Sequence, residues 1–145
     1  MNIKNYTSTV PAMNSAAAIE QLLVEAGATS VSKWYEDKQL SGFLFQLPVG
    51  GRPLVFRLPA RAEAVTRLML ARKPRANAQQ RGTIRAQAYR TAWRTLHEWV
   101  QIQVSMIQLQ QVEPLQVFLP YFYNEATGRT FYQEVQQQGP KLLGA

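Results

Sequence analysis

Cysteine is absent from the chain, which excludes disulfides, thiolate metal sites and cysteine nucleophiles together. Histidine occurs once, at His97, and nine acidic residues stand against sixteen basic ones. With one imidazole and few, scattered carboxylates, no metal-ligand set, base-activated nucleophile or carboxylate pair at helical spacing can be read. His97 reads as a satisfied structural or surface residue, because its neighbour Glu98 projects elsewhere on a helix. Glu36 and Asp37 adjoin at a turn and serve to solubilise it. Gly50-Gly51 is too short to cradle a phosphate, and no Lys-Ser or Lys-Thr follows it as a P-loop requires. These absences lead to the expectation of a protein that is not an enzyme and has no cofactor and no metal. Runs of about 18 apolar residues are also lacking, and MNIKNYTSTVP has no apolar core of a signal peptide. The expectation is therefore a cytoplasmic protein with no membrane partner.

One further absence is local. Between Arg52 and Arg94 the sequence holds 11 of the 16 basic residues and a single acid, Glu63. Eleven bases against one acid there, and five against eight elsewhere, divide the net charge of +7 into +10 and −3. Such a division predicts a basic face rather than a uniformly basic protein. Ten of the eleven are arginine, the side chain suited to bidentate phosphate contact and to stacking on bases. Candidate phosphate contacts are Arg52 and Arg57 on a strand meander, Arg61, Arg67 and Arg72 on the next helix, Lys73, Arg75 and Arg81 in a loop, and Arg90 and Arg94 on a long helix. The bland reading of the same residues is a set of solvated helix faces. Trp34, Tyr35, Tyr121 and Tyr123 lie outside the basic segment and read as core or interface.

At 145 residues the chain suits one domain, read as strand, helix and meander over 1–59, basic helices over 60–113 and short elements over 114–145. IKNYTSTV, residues 3–10, is rich in β-branched and aromatic side chains and predicts a first strand closed by Pro11. A helix follows, capped by Asn14 or Ser15, with Ile19, Leu22, Leu23 and Ala26 inward and Gly27 as its C-terminal cap. Strands are predicted at Ser30–Glu36, Leu40–Leu47 and Pro53–Leu58, an antiparallel meander with Phe43, Phe45, Leu47, Leu54, Phe56 and Leu58 on its core face. Ala60–Arg72 resumes a helical pattern with Val65, Leu68 and Met69 inward. The polar, basic stretch from Lys73 to Gly82 reads as a mobile loop.

Gly82 to Val112 is the longest periodic stretch. Ala86, Tyr89, Trp93, Leu96, Val100, Val104 and Ile107 form one apolar stripe at helical spacing, and Ala88, Ala92, Trp99, Ile102, Met106 and Leu109 form a second beside it. A helix apolar over most of its circumference is expected to be enclosed by the chain or by another copy, so Trp99, Ile102, Met106 and Leu109 are candidate interface residues. Val100, Ile102, Val104 and Met106 also alternate with polar residues, as in a half-buried strand; the unbroken helical period favours helix. Glu113-Pro114 ends it. In the tail, Asn124–Arg129 can be a hairpin turn, or Thr130 with Gln133 can be a capping box opening a last helix that ends at Gly139; the helix is preferred.

The order helix, three antiparallel strands, helix over Ala16–Arg72 resembles the double-stranded RNA-binding domain in outline, with Pro59-Ala60-Arg61-Ala62-Glu63 where that family has a lysine-rich helix start. Sheet plus long helix also resembles the core of single-strand annealing proteins. Through NYTSTVP, IEQLLVEAGA, AYRTAWRTLHEWVQIQVSMIQLQQ and LQVFLPY the whole chain resembles small accessory proteins carried by bacteria and their phages, a likeness that implies a cytosolic protein and brings no activity with it. The expected fold is α+β, an antiparallel three- to four-stranded meander packed on helices with one long central helix. The expected function is non-enzymatic binding of DNA or RNA through the arginine-rich face, with little sequence specificity. The alternative is a homo-oligomeric interaction module whose basic patch meets an acidic protein partner.

Overall fold

Residues 2–144 are described by a computed structural model. The elements run α1 (Ala12–Glu25), β1 (Ser30–Glu36), β2 (Gln39–Val49), β3 (Arg52–Pro59), α2 (Ala62–Ala71), α3 (Ala78–Gln108), α4 (Pro114–Phe118), β4 (Tyr123–Asn124), β5 (Arg129–Thr130) and α5 (Phe131–Gln138). An α+β fold with a three-stranded antiparallel sheet in the order β1-β2-β3 and one long helix, α3, agrees with the expectation. The chain forms two compact units, one from Met1–Leu22 with Ala60–Ile102 and one from Leu23–Pro59 with Gln103–Ala145.

In the sheet-bearing unit both connections are two-residue turns with left-handed backbone, Asp37 and Lys38 (φ 49° and 64°) and Gly50 and Gly51 (φ 58° and 80°). Turns of this hand match the twist of paired strands, and this sets the register. Phe43, Phe45 and Leu47 of β2 and Phe56 and Leu58 of β3 are buried as their alternation requires, while Leu54, near the turn, is half-buried. Against this face Phe118 of α4 is fully buried, its ring 5.1 Å from Phe45 and 6.4 Å from Phe56. Burying one such ring contributes roughly 1.5–3 kcal/mol. On the other face Trp34 pairs with Gly42 across the strands. Any side chain at position 42 would collide with the Trp34 ring and the Leu58 carbonyl, so glycine is required there for the indole to lie flat.

The two readings of the tail are both realised. β4 and β5 form the hairpin, and Thr130, the last residue of β5, also caps α5: Gln133 N–H donates to its Oγ1 at 3.3 Å and its own N–H donates to Gln133 Oε1 at 2.9 Å. α3 ends a little before the expected Val112. Gln110 turns left-handed (φ 61°) while Gln111 and Gln110 N–H donate to the Met106 and Ile107 carbonyls, which satisfies the last turn.

The helical unit departs from the sequence reading in four places. Residues 3–10 form turns, not a strand. Two of their carbonyls accept from side chains of α3: Thr91 Oγ1 donates to Asn5 O at 2.8 Å, and Gln87 Nε2 and Arg90 Nε donate to Ser8 O at 3.1 and 3.2 Å. α1 starts at Ala12, directly after Pro11, rather than behind a cap at Asn14 or Ser15. α3 starts at Ala78, ahead of the expected Gly82, because Asn77 and Gln80 form a reciprocal capping box at 2.8 and 2.9 Å. On α2, Leu68 is 41% exposed and no residue is fully buried.

α3 is helical throughout, including Val100–Met106. Only one of its faces is covered: Ala88, Thr91, Ala92, Trp93, Val100 and Val104 are buried, whereas Ala86, Ile102 and Leu109 are exposed. The chain by itself therefore does not enclose the helix around most of its circumference. Periodicity marks which residues share a face, and the packing of each unit decides which are covered: Ile102 in the first and Leu109 in the second are exposed.

Candidate nucleic-acid interface

The ten candidate phosphate contacts divide according to whether the fold already uses them. Arg57, in the sheet-bearing unit, lies 4.2 Å over the Trp34 ring and 5.6 Å from that of Tyr123, with Glu36 at 3.7 Å. Glu36 in turn accepts from the Trp34 indole N–H at 3.1 Å. This guanidinium is half-buried and clamps the outer face of the sheet by a cation–π contact. Arg52 is exposed at the foot of β3.

Arg90 and Arg94, in the helical unit, are likewise engaged. Arg90 donates to Ser8 O and, at 2.6 Å, to Gln87 Oε1. Arg94 pairs with Glu98 one turn on at 3.2 Å and its Nη1 lies 3.2 Å from His97 Nδ1. Lys4 reaches the same carboxylate at 3.0 Å and Asn5 donates to it at 3.3 Å. Those hydrogen bonds, that of Lys4 foremost, hold the Glu98 carboxyl below its ordinary value. His97 is also lowered, first by burial and then by the Arg94 charge, with Glu98 opposing. A neutral imidazole whose Nδ1 accepts from Arg94 accounts for that direction. Among the described residues Arg61 faces Glu63 alone, at 3.7 Å with both exposed, a pairing of little consequence.

What remains is concentrated on one connection. From Arg67 to Arg85 there are six basic residues, Arg67, Arg72, Lys73, Arg75, Arg81 and Arg85, and no acid. All six are exposed. The side chains of Arg67, Lys73, Arg75 and Arg85 have no ion-pair or hydrogen-bond partner among the described residues. The stretch read as a mobile loop contains a turn, in which Ala76 N–H donates to Lys73 O at 3.1 Å with Pro74 at its second position, and Arg81 Nε donates to Ala76 O at 3.2 Å. An open groove of about 640 Å³ follows, lined by the charged Lys73 and Arg75, the apolar Pro74, Ala76 and Ile84, and the polar Gln79 and Thr83 among others. Arg85, counted in the charge but not among the candidate contacts, joins the set because the early start of α3 puts it one turn beyond Arg81. The Asn77-Ala78-Gln79-Gln80 cap was the signal that could have found it.

Of the candidate interface residues, Ile102 is 60% and Leu109 71% exposed, while Trp99 and Met106 are half-buried. Among the described residues there is no group of three His, Asp or Glu able to hold a metal, and no helix long and apolar enough to cross a membrane. No protein family, no curated protein and no solved structure matches the chain.

Proposed function

We propose that the protein is a non-enzymatic nucleic-acid-binding protein that contacts phosphates through the α2–α3 connection, with little sequence specificity. One observation carries the reading: a run of six basic and no acidic residues in which the side chains of Arg67, Lys73, Arg75 and Arg85 have no partner within the fold among the described residues. Guanidinium groups held in solvent with nothing to neutralise them favour a polyanion, and their binding releases counterions. Arg57, Arg90 and Arg94 belong to the fold's own contacts in this reading, and their exchange would disturb folding before binding.

The test is fluorescence anisotropy of labelled single-stranded and duplex oligonucleotides at about 50 and 200 mM salt. The expected result is an affinity that falls by orders of magnitude across that range. Combining Arg67→Glu, Lys73→Glu, Arg75→Glu and Arg85→Glu should abolish binding with circular dichroism unchanged. Unchanged affinity in that variant, or no binding at the lower salt, overturns the proposal.

A second reading, a self-associating interaction module, is favoured by the exposure of Ile102 and Leu109. Its test is the oligomeric state.

A further inference from the structure

Resting on the phosphate-binding reading, we infer that the groove at the α2–α3 connection takes an unpaired nucleobase, so that the ligand class is single-stranded nucleic acid. A purely electrostatic surface has no need of a recess. Here the lining joins two kinds of side chain: Lys73 and Arg75 are charged and exposed, while Pro74, Ala76 and half-buried Ile84 are apolar. At about 640 Å³ the groove falls within the range of small-ligand sites, roughly 300–1,000 Å³. A nucleotide has the matching division, an anionic backbone joined to a flat apolar ring with polar edges.

The polar residues of the groove suit those edges. Gln79 carries an amide donor and acceptor with no partner among the described residues. Thr83 spends its hydroxyl proton on Gln79 O at 3.2 Å and keeps its lone pairs to accept from an amino group. The guanidinium of Arg75 can lie on the face of a base as well as pair with its phosphate. Bases stacked within a duplex present no free face, so the groove selects strands whose bases are splayed. Low sequence specificity follows as well, since every base has a ring face to offer.

The experiment compares three probes of equal length on the wild-type protein at low salt: an oligothymidylate of about twelve nucleotides, its fully abasic counterpart with the same phosphates, and a duplex. The base-bearing single strand is expected to bind on the order of tenfold tighter than the abasic strand, and tighter than the duplex. Ile84→Ser should remove that advantage while leaving the abasic affinity and the salt slope unchanged. If this variant fails to fold, the wild-type comparison decides alone. Equal, salt-dependent binding of base-bearing and abasic strands, or of single strand and duplex, overturns the inference and leaves the phosphate-binding reading standing. Absence of binding by all three overturns both.

Discussion

Glu98 collects Lys4, Asn5 and Arg94 around one carboxylate, and the adjoining His97 is kept neutral beside Arg94. Both groups have folded pKa values below their ordinary ones, so both make stability fall with falling pH. As pH drops below about 6.5 the unfolded chain takes up a proton at position 97 before the folded one does. Below about 4.5 the unfolded chain again binds first, now at position 98. Urea midpoints should therefore decline from neutral pH downward, and His97→Gln should flatten the upper part of that decline. An NMR titration of His97 centred above its ordinary 6.5 would contradict the arrangement. The structural role of His97 was legible from its isolation in the sequence. Its surroundings were not, because Lys4 and Asn5 are over ninety positions away and the strand expected for residues 3–10 would have sent them elsewhere.

Among the elements, the start of α3 controls the geometry of the basic connection. Asn77→Ala removes the cap that closes the first turn, and should cost about 1 kcal/mol. It should also weaken nucleic-acid binding, because the turn that carries Arg81 frays. Gly82 lies one turn inside the helix with nothing within 4 Å of an added Cβ, so Gly82→Ala should stabilise by about 0.5–1 kcal/mol and leave binding unchanged. Thermal unfolding with anisotropy on both variants checks the pair; a destabilised Gly82→Ala would mean that the helix is not formed there in solution. The meander was legible almost to the residue, since alternation of Phe43, Phe45 and Leu47 and two short turns leave few other pairings. The cap at Asn77 is harder to see, because a basic, proline-containing stretch reads as loop until Gln80 is matched to it.

For the whole molecule, charge and apolar exposure pull toward different partners. The net charge of +7 is the sum of +10 in the Arg52–Arg94 segment, whose own acid, Glu63, faces Arg61, and −3 elsewhere, so repulsion between copies opposes self-association at low salt. Ile102 and Leu109 act in the other direction. If they form subunit contacts, light scattering should give a multimer that Ile102→Asp and Leu109→Asp each convert to monomer with the circular dichroism unchanged, since both side chains are exposed in the single chain. A monomeric wild type sinks that reading and leaves the nucleic-acid reading as it stands.

The sequence by itself determined the α+β class, the meander with its core face, the long helix and the charge division, because each follows from periodicity, turn chemistry or composition along short stretches. Tertiary structure alone decided which arginines the fold uses. Arg57 could be assigned to Trp34 and Tyr123, and Arg90 to Ser8, only once strands, turns and helices had brought together residues distant in the chain. The same holds for the groove beside Ile84 and for the exposed side of α3: periodicity says which residues share a face, and only the packed chain says which faces meet water.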